Sequence, residues 1–206
     1  MEVEVKLRLP DSTAHQKLTT LLSPYRTKTH FQQNLFFDTN PKNTLSKHSS
    51  TLRLRFYNMD THATLTLKSK PKITNGISQA QELEEPIDPT IARTISLDPT
   101  QFATLVKESK ILQKVESEYG VVWDEMVCLG GFKNVRFVYE WNGLKLEVDE
   151  SLFDFGVSYE IECECDDPQE AQVMIEEMLR SNAIRFSYSK VSKFGVFRSG
   201  KLPEFE

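Results

Sequence analysis

Residues 2–9 read Glu2-Val3-Glu4-Val5-Lys6-Leu7-Arg8-Leu9: charges on every even position, aliphatics on every odd one. A period of two is the signature of a β-strand with one face in a core and the other polar. The same alternation returns along the chain. It is found in 51–57 (Arg53 and Arg55 between Leu52, Leu54 and Phe56) and in 63–70 (Lys68 and Lys70 beside Leu65 and Leu67), while 31–38, with Phe31 and Leu35-Phe36-Phe37, reads as a further strand. It continues in 77–85 (Glu82 and Glu84 around Leu83), in 133–141 (Arg136), in 144–150 (Glu147, Asp149) and in 157–165 (Glu160, Glu162, Glu164). These segments predict eight strands.

Turn and cap signals fill the gaps. Trp141-Asn142-Gly143-Leu144 is a two-residue Asn-Gly hairpin between alternating runs. Asn58–His62 and Asp154-Phe155-Gly156 read as further turns, and Gly130-Gly131 as a turn before a strand. Helices are predicted over 12–22 with Ser12 as cap, over 99–115 after Asp98-Pro99, and over 168–182 after Asp167-Pro168. Residues 86–96 show no pattern and read as a loop. Nothing marks a domain boundary, so 1–206 reads as one domain.

With 30 acidic and 25 basic residues, the net charge of −5 argues against a general nucleic-acid binder. No apolar run approaches the roughly 18 residues of a membrane span. The charged N-terminus does not read as a signal peptide, and the three cysteines (Cys128, Cys163, Cys165) lack metal-ligand spacing. These features predict a cytoplasmic protein with no membrane partner. His15, His30, His48 and His62 read as surface or structural residues, and no Ser-His-Asp, Cys-His or phosphate-loop pattern stands out.

The informative feature is the sign of the charges. Side chains two apart on a strand lie roughly 6.5–7 Å from each other on one face, where like charges repel. Here Glu2/Glu4, Arg53/Arg55, Lys68/Lys70, Glu82/Glu84, Glu147/Asp149 and Glu160/Glu162/Glu164 all repeat one sign. Phosphate groups satisfy clustered Arg and Lys through charge-assisted hydrogen bonds. Hard divalent cations satisfy clustered carboxylates. Both sets together point to a metal-chelated polyphosphate. The apolar faces need the helices, so the expected architecture is α+β: a closed eight-stranded antiparallel β-barrel, helices outside and charges lining the interior.

The ordered set of motifs resembles the CYTH superfamily of triphosphate tunnel metalloenzymes, over about residues 2–200. Glu2-Val3-Glu4-Val5-Lys6 matches its N-terminal Glu-x-Glu-x-Lys signature. Phe36-Phe37-Asp38-Thr39 resembles its aromatic-Asp-Thr motif, Leu52-Arg53-Leu54-Arg55 its paired-arginine strand, and Thr66–Lys70 its lysine strand. Glu82-Leu83-Glu84, Arg136, Glu147-Val148-Asp149, Tyr159–Glu162 and Lys193 resemble its later motifs. The small single-domain plant members are the nearest in size and in the closing Phe197–Lys201.

The resemblance implies a metal-dependent triphosphatase that splits inorganic triphosphate into pyrophosphate and phosphate with Mg²⁺ or Mn²⁺. Lys6, Arg53, Arg55, Lys68, Arg136 and Lys193 are expected to grip the phosphates. Glu2, Glu4, Glu160 and Glu162 are expected to hold a first metal. Glu84, with Glu82, Glu147 or Asp149, is expected to serve a second that activates water. Glu4, Glu84 and Lys193 are the expected catalytic residues, in a monomer or weak homodimer. Within the family the alternatives are thiamine triphosphatase and class IV adenylate cyclase; outside it, a non-catalytic polyphosphate binder.

Overall fold

The computed structural model describes residues 1–205. In chain order the strands are β1 (Glu2–Leu9), β2 (Arg26–Thr39), β3 (Ser50–Tyr57), β4 (His62–Ser69), β5 (Lys72–Thr74), β6 (Ile77–Ala80), β7 (Glu82–Ile87), β8 (Met126–Trp141), β9 (Leu144–Phe153), β10 (Gly156–Glu164) and β11 (Ser187–Tyr188). The α-helices are α1 (Ser12–Leu21), α2 (Thr44–Lys47), α3 (Pro89–Leu97), α4 (Phe102–Leu105), α5 (Lys110–Tyr119), α6 (Pro168–Ser181) and α7 (Lys193–Ser199).

The antiparallel α+β architecture is as expected, but the barrel is not. The hydrogen-bonded order is β5-β6-β1-β10-β9-β8-β2-β3-β4-β7, with β11 added on β1. That is an 11-stranded sheet with two ends rather than a closed ring of eight. The surplus has a local cause. The strand expected over 77–85 changes partner at Gln81: β6 pairs with β1, whereas β7 pairs with β4. The short β5 and β11 add the remaining two; they carry too few residues for alternation to register.

Contacts divide the chain into two compact units. One comprises Met1–Phe31, Pro71–Ala80 and the chain from Lys133 onward; the other comprises Gln32–Lys70 and Gln81–Phe132.

In the first unit the odd positions of β1 face a hydrocarbon layer. Val5, Leu7 and Leu9 pack with Tyr139, Leu146, Val148 and Ile161 of neighbouring strands and with Leu18 of α1 and Ala171, Ile175 and Leu179 of α6. Burying one such aliphatic side chain contributes about 1.5–3 kcal/mol. Asp167 caps α6 by accepting from Glu170 N, as its Asp-Pro signature implies. The cap of α1 is Asp11 rather than Ser12, accepting from Ala14 N at 2.8 Å. The Asn142-Gly143 hairpin forms with positive φ at both residues (48° and 79°), the geometry a type I′ turn requires.

In the second unit Leu52, Leu54, Leu65 and Leu67 of β3 and β4 pack on Ala92 and Ile95 of α3, Phe102 of α4 and Ile111, Leu112 and Val115 of α5. Three expectations fail here. Residues 86–96 are not a loop: β7 runs to Ile87, and Asp88 caps α3 by accepting from Thr90 N and Ile91 N. The helix expected over 99–115 is broken, because Ser109 caps a new helix by accepting from Leu112 N at 3.0 Å. Gly130-Gly131 is not a turn but lies inside β8, where a Cβ on Gly131 would sit 1.7 Å from the Asn34 carbonyl oxygen.

Candidate active site

Both faces of β1 are buried from Glu4 to Leu9. Opposite the hydrocarbon layer of the first unit, the even residues meet other charged residues in register. Arg136, Asp149, Glu160 and Arg8 stand side by side across β8, β9, β10 and β1, and Glu147, Glu162 and Lys6 form the next row. Helix α7 brings Lys193 onto the same rows; its cap is Ser192, whose Oγ accepts from Gly195 N at 3.1 Å.

The contacts are dense. Arg136 grips Asp149 with two hydrogen bonds, Nε to Oδ1 at 2.8 Å and Nη2 to Oδ2 at 2.6 Å, and donates to Glu162 Oε2 at 2.6 Å and to Glu147. Lys193 Nζ lies 2.8 Å from Asp149 and 3.1 Å from Glu160, and it also pairs with Glu162. Lys6 pairs with Glu162 and, at 3.4 Å, with Glu4. Arg8 Nη2 donates to Glu160 Oε1 at 3.1 Å, and Ser189 Oγ donates to the same oxygen at 2.7 Å. Asn134 donates to Asp149 and is oriented by Ser151 Oγ.

The charges hold one another in place. Burial alone would weaken the acidity of Asp149, but Arg136 and Lys193 bring its carboxyl down to about 2. Burial likewise opposes ionisation of Glu162, and Lys193, Lys6 and Arg136 outweigh it, holding the group well below the usual range. Burial would pull the Lys193 ammonium down; Asp149, Glu162 and Glu160 keep it raised. These carboxylates thus favour the charged form of Lys193.

The second unit carries its own charged face on β2, β3, β4 and β7. Asn34, Arg55 and Thr64 form one cross-strand row; Phe36, Arg53, Thr66 and Glu84 form the next; Thr51, Lys68 and Glu82 form a third. Arg53 Nη2 donates to Thr66 Oγ1 at 3.1 Å and lies 3.5 Å from Glu82 and 3.8 Å from Glu84. Lys68 Nζ is 2.7 Å from Glu82. Arg55 Nε donates to a neutral partner, Asn34 Oδ1, at 2.8 Å. Burial, with the repulsion of Arg55, pulls the Arg53 guanidinium down to about 10. Arg53 Nε and Asn34 Nδ2 are buried donors without a hydrogen-bond partner. Buried unsatisfied donors beside like-charged guanidiniums favour an anion.

The predicted site residues thus fall in two groups. Lys6, Arg136, Lys193, Glu4, Glu147, Asp149, Glu160 and Glu162 share the face in the first unit, with half-buried Glu2 one step further along β1. Arg53, Arg55, Lys68, Glu82 and Glu84 share the face in the second. Sequence reasoning missed Arg8, Asn34, Thr66 and Asn134. Arg8 was findable, since it continues the even positions of β1; the neutral residues carry no charge pattern to betray them. Asp38 proves structural: its carboxylate accepts from Leu45 N at 2.8 Å and from Ser46 N at 3.0 Å, tying down α2.

Among the described residues, no group of three or more His, Cys, Asp or Glu side chains is set to hold a metal ion. The carboxylates are turned instead onto ammonium and guanidinium groups. The donor set nonetheless fits a hard divalent cation, because every donor is a carboxylate oxygen. The charge balance agrees. In the first unit five cations (Lys6, Arg8, Arg136, Lys193 and, on Glu147, Lys145) face five carboxylates (Glu4, Glu147, Asp149, Glu160, Glu162), an even balance that Glu2 tips to −1. A polyphosphate approaching such a face needs added positive charge.

The chain matches the model of the CYTH domain over residues 1–194. No curated protein sequence matches it. Among solved structures, HpAC1 from Hippeastrum is 48% identical over 98% of both chains, with a TM-score of 0.96. HpAC1 was named a candidate adenylyl cyclase and is described as revealing a dominant triphosphatase activity. A candidate adenylate cyclase from Bacillus halodurans is 21% identical over 96% of each chain (TM-score 0.68). The PH1819 protein of Pyrococcus horikoshii is 17% identical over 96% of this chain and 99% of its own (TM-score 0.63). These last two share the fold. Among the described residues no helix is long and apolar enough to cross a membrane.

Proposed function

The chain belongs to the CYTH domain family, and from that premise we propose that it is a triphosphatase whose substrate is inorganic triphosphate, cleaved to pyrophosphate and phosphate. The observation that carries this is the 48% identity, over 98% of both chains, with a protein of dominant triphosphatase activity. The charged faces supply the chemistry, and the family match over residues 1–194 supports reading the chain as one domain.

Lys6, Arg136 and Lys193 in the first unit, and Arg53, Arg55 and Lys68 in the second, are assigned to phosphate oxygens. Their fixed charges stabilise the charge that develops on a transferring phosphoryl group. Glu2, Glu4, Glu160 and Glu162 would hold a divalent cation, Mg²⁺ or Mn²⁺, with Glu147 and Asp149 beside them. Glu82 and Glu84 would serve a further one. When bound, such ions neutralise phosphate oxygens and lower the pKa of water. The side chain of Glu84 is 43% exposed, against 5% for Glu162, so Glu84 is the more accessible proton acceptor. Its orientation comes from Thr66 Oγ1, which donates to Oε2 at 3.2 Å.

Phosphate release from tripolyphosphate, ATP and thiamine triphosphate, with Mg²⁺ and with chelator, tests the reading. Tripolyphosphate should be the best substrate, chelator should abolish release, and a folded Glu4→Gln variant should be nearly inactive. Full activity of that variant removes Glu4 from the site. Tight tripolyphosphate binding without release, under metal, would mean a binding module instead.

A further inference from the structure

A cavity of about 970 Å³ lies in the first unit between the end of α6, β11 and the C-terminal residues 201–205. Five of its lining residues are cationic: Arg8, Arg180, Arg185, Lys190 and Lys201. Among the described residues, the one acidic lining residue is Glu204. In a chain with a net charge of −5, this puts five of 25 basic residues around one hollow. Solubility gives no reason for such a concentration, since like charges gathered on concave walls repel.

Carboxylates outside the lining meet part of this charge. Arg180 pairs with Glu176 at 2.6 Å, and Arg8 Nη2 pairs with Glu160. Arg8 Nη1, on a residue only 6% exposed, is buried without a hydrogen-bond partner. The walls also carry flat rings. Phe186 lies under the Arg180 guanidinium at 5.2 Å and Phe205 under that of Arg185 at 5.3 Å, with Tyr188 adjoining. Each guanidinium thus has an apolar floor; Arg180 gives one N–H to Glu176, and Arg185 presents its N–H edges to an anion. The volume is that of a small-molecule site, in the range of roughly 300–1,000 Å³.

We infer that this cavity is a binding site for a small organic phosphate bearing a planar ring, such as a nucleoside monophosphate, with phosphate on the Arg and Lys edges and ring on Phe186 and Phe205. Arg8 lines this cavity and also holds Glu160, so a ligand here touches a residue of the carboxylate network without itself offering a phosphoanhydride to cleave.

Calorimetric titration of the full chain with AMP, adenosine and inorganic phosphate tests this, because AMP cannot be turned over by a triphosphatase. AMP should bind, and adenosine and phosphate should each bind at least about tenfold more weakly. Arg185→Ala and Lys201→Ala, both at exposed positions outside the proposed catalytic groups, should each weaken AMP about tenfold and leave the melting temperature and tripolyphosphate turnover unchanged. Three results would each overturn the inference: no AMP binding at millimolar concentration, phosphate binding as tightly as AMP, or AMP affinity unchanged in both variants. Failure of the triphosphatase assay would leave it standing, since calorimetry reads binding alone.

Discussion

Replacing Glu162 by Gln keeps the shape of the side chain and deletes one buried charge from the centre of the ionic rows. Glu162 serves Lys6, Lys193 and Arg136, and its side chain is only 5% exposed. Breaking a buried ion pair by removing one partner costs about 3–5 kcal/mol. All three partners keep other carboxylates: Arg136 retains Asp149 and Glu147, and Lys193 retains Asp149 and Glu160. Lys6 keeps Glu4 at 3.4 Å. The lower end, about 3 kcal/mol, is therefore expected. For a chain of this size that lowers the melting temperature by roughly 6–12 °C. The decisive measurement is a double-mutant cycle with Lys6→Met, read by urea denaturation. The double variant should be less destabilised than the sum of the singles by about 1–3 kcal/mol. A second readout follows from charge: Glu162→Gln removes one negative charge from this face. Tripolyphosphate should then bind about tenfold more tightly in chelator, from a relief on the order of 1–2 kcal/mol. Additivity within about 0.5 kcal/mol would refute the claim that these charges form one coupled network.

Arg53→Ala removes a guanidinium that the proposed function assigns to phosphate, so KM for tripolyphosphate should rise about 10–100-fold, with a smaller effect on kcat; unchanged steady-state kinetics would take Arg53 out of the site. Acid sensitivity has a definite sign. Asp149 is held at about 2 when folded, below its unfolded value, so its stabilisation, roughly 2 kcal/mol, is complete above about pH 4 and is lost as the pH falls through about 2. Melting curves across acid pH should therefore fall less steeply for Asp149→Asn than for the native chain, and identical slopes would contradict the assignment. Gly131→Ala should cost on the order of 3 kcal/mol or more, because the added Cβ meets backbone atoms of Asn34 and Leu35 and not a side chain that can swing away. A variant melting as the native chain does would show that β2 yields there.

Alternation was a faithful guide wherever one side of a strand faces hydrocarbon. Val5, Leu7 and Leu9 are buried together, as are Leu52, Leu54, Leu65 and Leu67. It also located the charged rows, since side chains two apart must share a face. It could not say which strand neighbours which, and so missed the change of partner at Gln81 and the open ends of the sheet. Asp88-Pro89 carries the same cap signature as Asp98-Pro99, so α3 is readable in the sequence, although β7 runs directly into its cap. Ser109 was harder, because a serine inside a helical pattern announces a cap only when its hydroxyl finds the amide of Leu112. Arg8 lay in plain view on the even side of β1, beyond the motif that ends at Lys6.

Strand β1 has ion pairs above it, aliphatic packing beneath it, and hydrogen-bonded neighbours along its edges in β10, β6 and β11. Deuterium should reach its amides last, making this octapeptide the slow reporter of whole-molecule opening. The same enclosure makes it a poor host for a spectroscopic label: a probe attached on either side would displace a layer rather than sample the solvent.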